Sequence, residues 1–229
     1  ITRNAEAIAE RLAARADLCG RALIAPLFAE DAFPGYQRAV GRRRPDRALL
    51  TLLDALRLEG QLGDGPVDLA GFSGGAQFAH RFAWLYPHRV GRLTAAAAGW
   101  WTFPDAAPFP YGLGEGAFGD AHRWFRANAA AFLDREIAVA VVEADVGPDP
   151  NTRSSAALDA QQGTDRLTRA RRWTASLRAA AERLGLEPRV SLSVLPGAGH
   201  DVLDCADAGL DALILPHAAA PSAIDQEGA

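Results

Sequence analysis

A chain of 229 residues with 49% hydrophobic and 23% charged side chains is long and apolar enough to bury a substantial core, which excludes global disorder. A net charge of −4 offers no broad basic surface for nucleic acid or anionic lipid, and the local runs Gly41 to Arg44 and Arg169 to Arg172 read as solvated faces. The two cysteines, Cys19 and Cys205, lack C-x-x-C spacing and read as buried thiols rather than as a zinc site or a disulfide framework.

In chain order, Asn4 can cap a helix from about Ala5 to Ala16, and Arg21 to Leu27 reads as a strand. Asp46 begins a helix with apolar positions at Leu49, Leu50, Leu53 and Leu56, ending near Gly60. Val67 to Gly71 is the next strand, and Gly74 to Tyr86 is a helix stopped by Pro87. Arg92 to Ala98 follows as a strand. From Trp100 to Gly119 the periodicity breaks into Pro, Gly and aromatic residues, an irregular insertion before a helix at His122, and long loops of this kind are usually functional or mobile. Ile137 to Glu143 has the continuous apolar character of a fully buried parallel strand. Thr164 to Leu184 makes a long helix ended by Gly185, Val190 to Leu195 a last strand and Val202 to Leu215 a closing helix, with a tail from Ala218. Strands alternating with helices predict a mostly parallel α/β sheet, with residues 1–229 as a single domain.

No apolar run approaches the length of a membrane span, and no signal segment is visible, so a cytoplasmic location and no membrane partner are expected. The chain begins at Ile1 and contains no methionine, so residue 1 is not expected to be the translated start.

The stretch Gly71-Phe72-Ser73-Gly74-Gly75 lies between a predicted strand and a predicted helix. A serine hydroxyl is a weak nucleophile at neutral pH and needs a general base, a group to orient that base, and N–H donors for the developing oxyanion. G-x-S-x-G at a strand-to-helix turn exposes the serine, because only small residues two positions away avoid a clash; Gly71 and Gly75 would supply that clearance. The first amide of the following helix, on Gly74, would then face the substrate oxygen. His200 follows Gly197-Ala198-Gly199 after the last strand, on a loop over the carboxyl edge of the sheet, where a base for Ser73 must stand. His80, His88, His122 and His217 have no motif around them and read as structural.

These residues resemble the α/β-hydrolase superfamily, and more closely its bacterial esterase and polyhydroxyalkanoate-depolymerase-like branch. The resemblance rests on AGFSGGAQFAHRFAWLYPHRV, VVEADVGPDPN and LPGAGHD, and spans essentially the whole chain. It implies Ser73 as nucleophile, His200 as general base and acid, and an acid just past the strand that follows the elbow. Asp145 matches that position. Asp149, four residues later in a stretch that otherwise reads as turn chemistry, is the competitor. Phe72 beside the serine is expected at the substrate. Trp100, Trp101, Phe103, Phe109 and Tyr111 each read singly as core, and together as a wall or lid over an acyl pocket.

The implied activity is cleavage of a small ester through an acyl-enzyme, with no metal or organic cofactor. A non-catalytic binding protein and an acyltransferase on the same fold are the alternatives. The family has eight strands, and its second oxyanion donor comes from a His-Gly loop after the third. Here Ile1 to Glu6 resembles the sequence after that His-Gly, so the second amide is expected near Ile1 or Thr2. Only five strands are readable, matching the fourth to eighth, and the missing third would lie between the fourth and fifth. A gap in the sheet is therefore expected, to be filled by an N-terminal extension, a partner chain such as a second copy, or a swapped segment. Direct pairing of Val67 to Gly71 with Arg21 to Leu27 would contradict this.

Overall fold

The computed structural model describes residues 3–116, 118–147, 149 and 152–216. Four parallel strands, β1 (Val67–Phe72), β2 (Val90–Ala96), β3 (Glu136–Val142) and β4 (Val190–Leu195), form one sheet in the order β1-β2-β3-β4. β3 lies inside the sheet with helices above and below, which accounts for a run that is apolar at every position from Ile137 to Val142.

The alternation of side chains along each strand sorts the core into two layers. Leu93, Ala95, Val139 and Val141 face a large cluster built by α3 (Gly74–Leu85) and α7 (Arg166–Arg183). In that cluster Trp84 stacks on Phe132 at 4.3 Å and Trp101 on Trp173 at 4.0 Å. Ala96, Ala140 and Val142 face the opposite way, toward Cys205 and Leu210 of the closing segment. Helical structure thus covers both faces of the sheet. Among the remaining helices, α1 (Ala5–Leu18) and α2 (Pro45–Leu58) precede β1. α4 (Ala121–Ala127) and α5 (Ala129–Leu133) lead into β3, and α6 (Ala156–Gln162) comes before α7.

Several expectations need correction. Residues 21–27 form no strand and make no ladder with β1; their apolar content, Leu23 and Ile24, does not suffice without a partner chain to pair with. The direct pairing that would have contradicted a gap is not seen, and among the described residues β1 pairs only with β2. An Arg21 guanidinium reaches across to Asp68 instead. The predicted closing helix is broken into α8 (Val202–Cys205), an irregular turn, and α9 (Asp211–Ile214), because Gly209 adopts φ +106°.

The run around Arg169 is not wholly solvated. Arg169 is fully buried, donating to the carbonyls of Gly99 and Gly163 and pairing with Asp159 at 2.7 Å. Cys205 is buried and Cys19 only half-buried, both as free thiols. The insertion after β2 packs down rather than arching over the sheet. Phe103 N–H donates to Tyr111 O, Leu113 N–H to Asp105 O and Gly114 N–H to Ala107 O, and Phe109 enters the core. No helix among the described residues is long and apolar enough to cross a membrane.

Candidate active site

Ser73 sits between β1 and α3 with φ 51° and ψ −113°, a conformation non-glycine residues rarely adopt. Its N–H donates to Ala96 O at 2.8 Å and its carbonyl accepts from Gln77 N–H at 3.2 Å, so strand β2 and helix α3 together hold the strained turn. The two flanking glycines are not equivalent. A Cβ on Gly71 would run into the carbonyl of Gly75 and come within 2.7 Å of the Ala76 amide, whereas a Cβ on Gly75 would meet nothing within 4 Å. Only Gly71 gives the clearance expected of both. Gly74 is the first residue of α3, and its N–H has no partner within the helix.

The loop after β4 carries His200 to this turn. His200 Nε2 lies 3.1 Å from Ser73 Oγ, and His200 Nδ1 lies 3.0 Å from Asp145 Oδ2. In the neutral tautomer that serves both contacts, Ser73 donates to Nε2 and Nδ1–H donates to Asp145. Asp145 stands three residues past the end of β3 with its carboxylate 6% exposed. Asp149 pairs with Arg166 at 2.5 Å, and the same guanidinium nitrogen lies 3.2 Å from Asp145 Oδ1.

Under the His200 loop, the Cys205 thiol donates to Gly199 O at 3.6 Å. Burial pushes that thiol up to about 12, with the Asp145, Asp201 and Asp204 carboxylates adding, which removes it as a nucleophile at neutral pH. His80 is fully buried on α3 and lowered well below the ordinary histidine value by burial and by Arg81. Its Nδ1–H donates to Ala76 O at 2.8 Å, and its Nε2 accepts from Thr102 N–H at 3.1 Å. It is a neutral strut of the core.

Ser73 and His200 open onto a cavity of about 950 Å³ that runs along the edge of β1 with no ladder partner among the described residues and faces residues 21–28. Phe72 lines it and packs on the His200 ring at 5.1 Å; Trp100 lines it with the Arg81 guanidinium 3.9 Å from its ring and Tyr111 meeting it edge-on at 4.9 Å. Trp101 and Phe103 are corrected to the core, where Trp101 stacks on Trp173 and neither ring reaches the cavity. Tyr111 does not line the cavity and touches two residues that do, Trp100 at 4.9 Å and Arg153, whose guanidinium lies 5.8 Å from its ring. The expectation for Ile1 and Thr2 falls outside the described residues, as does that for His217. No cluster of three or more His, Cys, Asp or Glu among the described residues could hold a metal ion.

Arg166 escaped the sequence reading, although a signal was present: a cation in the first turn of a helix opposes the helix dipole and needs a carboxylate to hold it there. Gln162 on α6 was missed as well; its side chain clamps the Trp101 main chain from both sides, accepting from N–H and donating to C=O at 2.9 Å each.

No protein-family model and no curated protein matches the sequence. Solved structures do. The chain is similar to the poly(3-hydroxybutyrate) depolymerase LpqC from Bordetella parapertussis, with a TM-score of 0.76 and 26% identity over 93% of this chain and 76% of that one. It is also similar to poly(aspartic acid) hydrolase-1 from Sphingomonas sp. KT-1, with a TM-score of 0.75 and 24% identity over 91% and 82% of the two chains. The parallel sheet, the helices on both its faces and these neighbours give the chain the α/β-hydrolase fold.

Proposed function

We propose that the protein is a serine hydrolase that cleaves carboxylic esters through an acyl-enzyme. The observation that carries this reading is the hydrogen-bonded line from Ser73 Oγ through His200 to Asp145, at 3.1 and 3.0 Å. In the proposed mechanism His200 Nε2 takes the Ser73 proton as Oγ attacks the ester carbonyl, and Asp145 stabilises the resulting imidazolium. The Gly74 amide, at the positive end of α3, donates to the oxyanion. His200 then protonates the departing alcohol, and a water activated by the same imidazole releases the acid. Phe72 and Trp100 give the acyl group an apolar wall. The chemistry uses side chains and backbone alone, without metal or organic cofactor.

The test is release of p-nitrophenol from esters of increasing acyl length. Ser73→Ala and His200→Ala are each expected to lower kcat by about 10⁴-fold or more, and a fluorophosphonate should label the natural protein but not Ser73→Ala. Turnover that survives Ser73→Ala would exclude the mechanism. We propose also that the free edge of β1 receives a further strand, from a second copy or from additional polypeptide, because its outward backbone groups have no ladder partner among the described residues.

A further inference from the structure

Arg166 is the first residue of α7, yet its side chain is only 4% exposed. A buried cation at the wrong end of a helix dipole must be held by anions, and here there are two. Nη1 lies 3.2 Å from Asp145 Oδ1 and 2.5 Å from Asp149 Oδ2, while Asp145 turns its other oxygen to His200 at 3.0 Å. A carboxylate with one oxygen on an arginine and the other on an imidazole cannot rotate without breaking one of the two contacts. The next residue grips the same aspartate through the main chain, since Leu167 N–H donates to Asp145 O at 3.2 Å. Arg166 Nε is buried without a partner. Nε thus forgoes a hydrogen bond while Nη1 stands between the two aspartates.

We propose that Arg166 is a positioning residue: by bridging Asp145 and Asp149 it fixes the Asp145 carboxylate on His200 and keeps the second aspartate from competing for the imidazole. The kinetic consequence rests on the ester-hydrolase reading above; the geometric one does not. Without the guanidinium, two carboxylates that share one nitrogen lose the cation between them, and their repulsion displaces Asp145 from His200.

The downfield proton resonance of His200 Nδ1–H, identified by its loss in His200→Ala, reads this contact without any turnover. It should vanish in Arg166→Gln, persist in Arg166→Lys, which keeps the charge, and return when Asp149→Asn is added to Arg166→Gln. A purely structural role for Arg166 would give no such return. With a p-nitrophenyl ester, kcat should follow the same order, falling roughly a hundredfold in Arg166→Gln while KM stays within about twofold. Circular dichroism checks that each variant is folded, and if Arg166→Gln is not, Arg166→Lys decides, because loss of the resonance there overturns the proposal. A resonance and kcat unchanged in folded Arg166→Gln overturn it equally. If the resonance follows this order but the natural protein cleaves no ester, the hydrolase reading fails and the positioning inference stands.

Discussion

At the scale of single residues, the turn at Ser73 shows how a G-x-S-x-G pattern divides its labour. Gly71 lies where the first turn of α3 passes so close to β1 that a methyl group has no room, and both obstacles are backbone atoms that cannot swing away. Gly75 faces open space and is already helical. Gly71→Ala is therefore expected to cost about 3 kcal/mol or more. Gly75→Ala should leave stability equal or raise it by about 0.5–1 kcal/mol, as alanine does in a helix. Denaturant midpoints of the two variants check this, and equal losses would show that the second glycine has a steric role the geometry does not contain. The sequence alone could not separate them, because the pattern is symmetric about the serine while the close approach of α3 is not.

Residue identity and chain order nonetheless pointed to the three side chains that the structure brings together. Ser73, Asp145 and His200 each follow a strand, and in a parallel sheet the strand ends lie along one edge. What was not legible was the support behind them. Arg166 reaches Asp145 from 21 residues away, and such a contact is set by where α7 docks on β3 and β4 rather than by any local pattern.

At the scale of elements, the junction of α2 and α3 is fastened by a buried carboxylate. Asp46, fully buried in the first turn of α2, accepts from Arg44 at 2.8 and 2.6 Å and from the Tyr86 hydroxyl, just past α3, at 2.7 Å. Burial, with the Asp46 hydrogen bond next, pushes the Tyr86 phenol from 10.0 up to about 12. The folded protein therefore holds this proton more tightly than the unfolded chain does. The contribution is whole below pH 10 and is lost as pH rises from about 10 to 12. The sequence contains no lysine, but the Cys205 thiol and the Tyr36 phenol are raised toward the same window, so the comparison with Tyr86→Phe isolates the Tyr86 contribution. Thermal melts at pH 9 and near pH 12 should show the natural protein losing more in Tm between the two than Tyr86→Phe loses. Parallel losses would mean that the phenol is not coupled to folding.

Element types were largely legible where periodicity and burial agree. β3 and α7 stand close to where the apolar run and the 3.6-residue pattern put them. The failures share one cause. Residues 21–27 and the segment after Val202 have the composition of a strand and of a helix, but the first lacks a chain to pair with and the second carries a glycine whose positive φ breaks it. Composition supplies a propensity, and tertiary context decides whether it is realised.

At the scale of the whole molecule, the cavity of about 950 Å³ follows the length of β1 as well as reaching Ser73. β3 is bonded on both sides, to β2 and to β4, whereas among the described residues β1 is bonded on one. In a parallel strand alternate residues direct their amides to opposite sides, so about half of the β1 amides face the cavity rather than a ladder. Hydrogen exchange should separate the two strands: outward β1 amides should exchange on the order of 10³-fold faster than those of β3 in dilute protein. If a second copy supplies a strand at this edge, their protection should rise with protein concentration in step with the hydrodynamic mass. Protection found instead only in a longer form of the polypeptide would assign the strand to additional chain. Protection of β1 equal to that of β3 at every concentration, with the mass of a monomer, would mean that the edge is closed within residues 1–229 and that no further strand is needed.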